Sequence, residues 1–218
     1  LFAFSGYWIW TVSQGWLVLQ LTDSPGLVGL VTGFAMLPFL FMSLVGGVLA
    51  DRVNRRRVSM ISRSFVVLMI FGEAALYWTG MIEVWMMLLI ALAAGVGFAL
   101  DNPVRQSMVP DLVPPEHLAN AVALTFATSN VCNILGPSIG GILLATVGPG
   151  WAFFATGIGN SALVCCYVLL RLPPRARKVG APSAVRQFRE GLRFMRSDEI
   201  FYILIIAAAM SAFIRGAV

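Results

Sequence analysis

LANAVALTFATSNVCNILGPSIGGILLATVGPGWAFFATGIGNSALVCCYVLL, residues 118–170, runs for 53 residues without a charged side chain. A helix needs about 20 apolar residues to cross the hydrocarbon of a bilayer. The run is too long for one such helix and suits two. Gly148-Pro149-Gly150 divides it, because proline cannot continue the helical hydrogen-bond ladder and glycine admits the turn. Strands of a membrane barrel alternate apolar and polar residues over about ten positions, and this run has no such alternation. It predicts an all-α integral membrane protein.

The rest of the chain repeats the pattern. Residues 1–22, 24–50, 84–100 and 200–214 carry no charge, and 64–82 is interrupted only by Glu73. Spans are predicted near 1–21, 26–50, 58–79, 84–101, 118–147, 151–171 and 200–218. Asp23-Ser24-Pro25 and Pro114-Pro115-Glu116 supply caps and first-turn prolines ahead of the second and fifth spans. Of the 218 residues, 59% are hydrophobic and 11% charged, with mean hydropathy +0.85. Soluble chains average about 25% charged residues, so neither a soluble fold nor a disordered chain fits. Cys132, Cys165 and Cys166 lie inside apolar runs and have neither metal-ligand spacing nor a disulfide framework. Both ends of the sequence fall within apolar runs, as expected for a piece of a longer chain.

Charge placement orients the spans. Arg52, Arg55, Arg56, Arg57 and Arg63 follow or enter the turn after the second span, and Arg105 follows the fourth. Eight more basic residues, from Arg171 to Arg196, follow the sixth. Fourteen of the fifteen Lys and Arg residues therefore fall on one side, which the positive-inside tendency makes cytoplasmic. The net charge of +5 is then a topology signal and implies no nucleic acid. Within 172–198, Val185, Phe188, Leu192 and Met195 share one helical face among arginines. That pattern suits either a basic amphipathic helix on an anionic leaflet or a spacer between membrane domains.

Two motifs stand out. Gly47-Val48-Leu49-Ala50-Asp51-Arg52-Val53-Asn54-Arg55-Arg56-Arg57 places a carboxylate at a membrane edge ahead of a dense basic turn. Asp51 and Arg55 would pair at i, i+4 if the helix continued. Gly136-Pro137-Ser138-Ile139-Gly140-Gly141 sets small residues four apart beside a proline, which favours close helix packing and a bend. The pairs Val45-Gly46-Gly47-Val48-Leu49 and Ile139-Gly140-Gly141-Ile142-Leu143 resemble each other, as an inverted repeat or convergent small-residue packing would produce.

On these residues the chain resembles the major facilitator superfamily, in its bacterial drug- and siderophore-exporter branch. The first motif is similar to the loop signature between helices two and three. The second is similar to the helix-five signature of antiporters. Asn102 to Pro114 resembles the fourth-to-fifth loop of the enterobactin-exporter-like group. The sequence departs from the family at Asn54, where glycine is usual, and at Ala91, where a helix-four arginine linked to proton transfer often stands.

The resemblance implies a six-helix N-terminal bundle over 1–171, built as a 3+3 inverted repeat. It further implies a cytoplasmic linker over 172–198 and the truncated start of helix seven and the C-terminal bundle over 199–218. It implies a multi-pass protein of the bacterial inner membrane, exporting a small amphipathic molecule by alternating access. The partners implied are the lipid bilayer, the small-molecule substrate, protons as the candidate coupling ion and the missing C-terminal half; no cofactor or metal is implied. Gly47, Asp51, Arg52, Arg55 and Arg56 would form a conformational latch, with Asp51 meeting a helix N-terminus of the other half. Gly136, Pro137, Gly140 and Gly141 would shape the outward gate. Arg52 or Arg56 would pair with Asp101, beside Arg105.

Polar residues inside spans complete the candidates. Glu73 is the carboxylate deep in a span, past the midplane when counted from Val58 at about 1.5 Å per residue. It suits proton coupling or recognition of a cationic substrate, against a side chain that reaches the outer interface. Gln14, Asn130, Asn133 and Asn160 suit helix-to-helix hydrogen bonds or substrate contact. Tyr7, Trp8, Trp10 and Trp16 suit either stacking on flat substrates or an interfacial belt. His117 reads as a surface residue. The alternative classes are a membrane scaffold and an intramembrane enzyme; the spans lack the paired carboxylates, His cluster or Ser/His constellation that an enzyme would need.

Overall fold

The structure, a computed structural model, describes the backbone of residues 2–52 and 54–170 and the side chains of residues 5–42 and 54–170. It consists of six long helices: α1 (Phe2–Thr22), α2 (Pro25–Arg52), α3 (Arg55–Trp78), α4 (Val84–Leu112), α5 (Leu118–Val147) and α6 (Pro149–Leu169). A single 3-10 turn, Pro115–His117, leads into α5. No strand occurs among the described residues. The expected linker, its amphipathic helix and the seventh span lie outside the described residues.

The helix ends follow local chemistry. Pro25 and Pro149 occupy the first position of their helices, where their missing N–H costs nothing. Gly148 takes φ 82°, a left-handed conformation that a side chain would oppose, and so α5 turns directly into α6. Asn54 has an extended backbone and its side chain accepts a hydrogen bond from the Arg57 N–H, capping α3. The residue that departs from the loop signature is thus the cap of the next helix.

α4 corrects the predicted boundary. It continues past Asp101 to Leu112, through Pro103 and Pro110. The polar residues beyond Asp101 are satisfied within the helix: Asn102 Oδ1 accepts from Arg105 at 3.2 Å and from Gln106 at 3.1 Å. Val104 and Met108 are meanwhile buried. Burial of that face outweighs the two prolines, each of which removes one backbone donor.

α2 to α6 are each long and apolar enough to cross a membrane. α1 has similar length, but Ser5, Thr11, Ser13, Gln14, Gln20 and Thr22 dilute its hydropathy. Short connections make successive helices antiparallel. The principal packed pairs are α2 on α4, α1 on α5, α3 on α4, α1 on α6 and α3 on α6. Exchanging helices 1, 2, 3 with 4, 5, 6 leaves this set of pairs unchanged. An odd shift of three positions reverses helix direction, so the exchange is an inverted repeat. The central core joins Trp10, Leu17 and Val18 of α1 with Val31 and Ala35 of α2. Ile70 of α3, Met87, Ala91 and Ala94 of α4, and Phe153 of α6 complete it. α2 and α5 are the least covered helices, with 17% of their apolar windows buried against 44% for α3 and α4.

Candidate functional site

Glu73 lies on the buried face of α3 between Ile70 and Ala74, and its own exposure is 0%. Trp10 and Gln14 stand four residues apart on α1 and so share one face. Trp10 Nε1 donates to Glu73 Oε2 at 2.7 Å, and Gln14 Nε2 donates to Oε1 at 2.8 Å. Both partners are neutral, and no ion pair reaches the carboxyl among the described residues. The carboxyl points into the bundle and does not extend to an interface.

Of the four aromatics singled out on α1, Trp10 belongs to this site, Tyr7 packs beside it, and Trp8 turns to α5. Tyr7 meets Phe98 edge-on at 5.0 Å and Trp8 at 5.6 Å, while Trp10 packs on Phe98 at 5.6 Å. Trp16 is 49% exposed and stands apart. Ala91, at the family's arginine position, is fully buried in the core cluster that holds Trp10.

The helix-five motif lies against α1. A Cβ on Gly136 would stand 2.7 Å from Trp8 Cβ and 3.3 Å from the Ser5 carbonyl, and one on Gly140 would stand 3.3 Å from Ile9 Cα. Their missing side chains let α5 approach α1 backbone to backbone. One turn before Gly136, Asn133 Oδ1 accepts a hydrogen bond from Trp8 Nε1. α5 continues through Pro137, and the position of a Gly141 Cβ is open. Asn130 is exposed on α5.

A second buried polar cluster occupies the half of the bundle nearer the basic residues. Arg63 Nε and Nη2 both lie 2.8 Å from Asp101 Oδ2, and Arg63 Nη1 donates to Asn160 Oδ1 at 2.9 Å. Tyr167 OH donates to Asp101 Oδ1 at 3.3 Å, and Arg105 Nε is 3.8 Å from Oδ2. Asp101 and Arg105, both candidates for cytoplasmic charge pairing, lie in this cluster, where Arg63 is the principal partner of Asp101. Arg63, counted from sequence with the basic turn but placed just inside the third span, is 5% exposed and joins α3 to α4 and α6.

At the basic end, Arg55 Nη1 pairs with Asp111 Oδ2 at 2.9 Å and donates to the Ser107 carbonyl. Arg56 donates to the carbonyls of Tyr167 and Val168 on α6. Those carbonyls, rather than the expected Asp101, take Arg56, because the last turn of a helix leaves backbone acceptors open. α2 ends at Arg52 and α3 starts at Arg55, so the Asp51–Arg55 spacing is not that of one continuous helix. The side chains of Gly47, Asp51 and Arg52 lie outside the described residues. No group of three His, Cys, Asp or Glu side chains suited to a metal occurs among the described residues.

Sequence reading did not pair these residues. The Trp10/Gln14 spacing was a usable signal for the Glu73 donors, and the place of Arg63 inside the predicted span 58–79 was one for its burial. Nothing in sequence marked Asn160 as its acceptor 97 residues away.

A family model described as transmembrane secretion effector matches residues 1–217. The chain is 30% identical over 190 residues to the Staphyloferrin A transporter of Staphylococcus aureus, covering 85% of this chain and 46% of the relative. It is 32% identical over 204 residues to the multidrug efflux pump Tap of Mycobacterium tuberculosis, covering 89% and 48%. It is 32% identical over 183 residues to the enterobactin exporter EntS of Shigella boydii, covering 79% and 42%. The chain spans about half the length of these curated relatives.

Proposed function

Since this chain belongs to the transmembrane secretion effector family of the major facilitator superfamily, we propose that it forms the N-terminal half of a proton-coupled exporter of a small amphipathic molecule. Relatives named as siderophore and multidrug transporters support the substrate class. The antiporter-like helix-five motif supports export. The C-terminal half of the same protein covers α2 and α5, and the two halves rock about a central site. The basic end faces the cytoplasm of a bacterial inner-membrane protein. Asp51 latches the halves there, and residues 172–198 connect them.

The observation that carries proton coupling is the burial of Glu73 between two neutral donors. A charge sealed in a dry interior is costly unless it is paired. A carboxyl in this position therefore gains a proton when the site closes and releases it when water enters. Both of its oxygens are already taken by the neutral donors Trp10 and Gln14, which leaves no open oxygen for direct contact with a cationic substrate. With this route, the arginine absent at Ala91 is not needed.

The test is efflux of ethidium from right-side-out membrane vesicles containing the complete protein, with and without a pH gradient. Glu73→Gln preserves shape, and a flip of the Gln14 amide restores its hydrogen bond. The expected result is loss of gradient-driven efflux while the protein still inserts and melts as the unaltered protein does. Gradient-driven efflux at the original rate in Glu73→Gln would overturn proton coupling through this residue.

A further inference from the structure

We propose that Phe98 is a positioning residue that couples the Glu73 site to the buried Arg63–Asp101 pair. The inference rests on the reading of Glu73 as the proton-carrying group. Arg63 and Glu73 stand ten residues apart on α3, roughly 15 Å along the helix, so they cannot touch. Phe98, 4% exposed, fills the space between their partners. The Arg63 guanidinium carbon lies 4.9 Å from the centre of its ring. The same ring packs on Trp10, the donor to Glu73, at 5.6 Å. Asp101 follows Phe98 on the next turn of α4, so the ring and the carboxylate present Arg63 with one combined seat.

A second contact joins the same two clusters. A Cβ on Gly6 of α1 would stand 2.9 Å from Asn160 Nδ2, and Asn160 Oδ1 is the acceptor for Arg63. α1 thus touches the Arg63 cluster at Gly6 and the Glu73 site at Trp10 and Gln14. Close-packed interiors have no slack to absorb a shift of one member. A movement of α1 that breaks the Trp10–Glu73 bond must displace the ring on which Arg63 rests.

The charged and titratable groups facing these sites bound the effect. Trp10 and Gln14 face Glu73 from α1, where the titratable Tyr7 packs on Trp10 and Phe98, and the core from α4 and α6 is apolar: Met87, Ala91, Ala94, Phe98 and Phe153. Asp101, Arg105 and Tyr167 face Arg63 from α4 and α6.

The test is an infrared pH titration of the complete protein in liposomes, following the protonated-carboxyl band that disappears in Glu73→Gln. Phe98→Leu is expected to move the midpoint of that band by about one pH unit, the scale of one hydrogen bond to a charged group weakened or lost. Phe98→Tyr, which keeps the ring, restores the original midpoint. Arg63→Lys, which loses the planar stack but keeps the charge, also moves it, and the double variant moves it no further than the larger single shift. A ring that only filled space would lower the melting temperature and leave the midpoint unchanged. An unmoved midpoint in Phe98→Leu, with the band still lost in Glu73→Gln, overturns this inference alone. A band unaffected by Glu73→Gln overturns the proton-coupling reading, and the inference with it. If Phe98→Leu does not fold, Arg63→Lys carries the same decision.

Discussion

Replacing Asp101 with asparagine should be among the most damaging single-atom-scale changes available in this protein. The carboxylate is fully buried and takes two donors from Arg63 on one oxygen, both at 2.8 Å. Tyr167 holds the other oxygen, and Arg105 lies 3.8 Å away. At an effective dielectric near 20, opposite charges about 4 Å apart attract by about 4 kcal/mol. Removing one partner of a buried pair also strands the other, and such changes cost about 3–5 kcal/mol. For a protein of the relatives' length, about twice that of this chain, each kcal/mol moves the melting midpoint by about 1–2 °C. Asp101→Asn should therefore lower the midpoint of the detergent-solubilised complete protein by about 3–10 °C. Arg63→Met should cost less, because Asp101 keeps Tyr167 and Arg105. Combining Arg63→Met with Asp101→Leu removes both charges and should melt above Asp101→Asn alone, since apolar replacement of a buried pair is often neutral. Thermal melts followed by intrinsic fluorescence would measure all three. An Asp101→Asn midpoint equal to that of the unaltered protein would refute the reasoning, as would a double variant that loses the full sum of the single losses.

Other changes follow from single contacts. Gly136→Leu puts atoms where Trp8 Cβ and the Ser5 carbonyl already stand, so α1 and α5 must separate; overpacking of this kind costs about 1–3 kcal/mol, read as a lower melting midpoint. Asn54→Ala removes the cap of α3 and should cost about 1 kcal/mol, whereas Asn54→Gly should cost only a few tenths; a paired melting comparison of the two variants checks the order.

The spans were legible because they depend on composition averaged over some twenty residues, and an uncharged run such as 118–170 allows few other readings. The Gly148-Pro149 break was legible because its chemistry is local. The end of α4 was not. Asn102-Pro103 reads as a stop on its own, and only the burial of Val104 and Met108 against neighbours explains why the helix continues. The site divides in the same way. Glu73 announced itself as an acid in an apolar span, and Gln14 as a polar residue in another. Their contact required knowing that α1 and α3 turn these faces toward each other. Arg63 was counted with the basic turn although it falls inside the predicted span 58–79, because sequence does not distinguish an arginine that reaches back to the membrane edge from one held in the bundle. Its partners Asp101 and Asn160 are 38 and 97 residues away.

The backbone of this six-helix bundle is related to itself by inversion, but its chemistry is not. At the basic end, Arg55 with Asp111, Arg56 with the α6 carbonyls, and Arg63 with Asp101 and Asn160 tie α3 to α4 and α6. At the opposite end of α3, Trp78 packs on Trp151 at 5.3 Å and on Phe154 at 5.6 Å, and no ion pair joins helices there among the described residues. Charge-assisted hydrogen bonds are directional and are lost over a short displacement. Aromatic contacts tolerate a range of offsets and angles. If the two halves of the exporter rock as proposed, the basic end should therefore open in a discrete step, while the aromatic end can slide. Glu73 lies nearer the aromatic end of α3, and its donors come from α1, which crosses both regions. On that proposal the inverted repeat would supply two equivalent-looking gates, and the uneven distribution of charge along α3 would make them mechanically different.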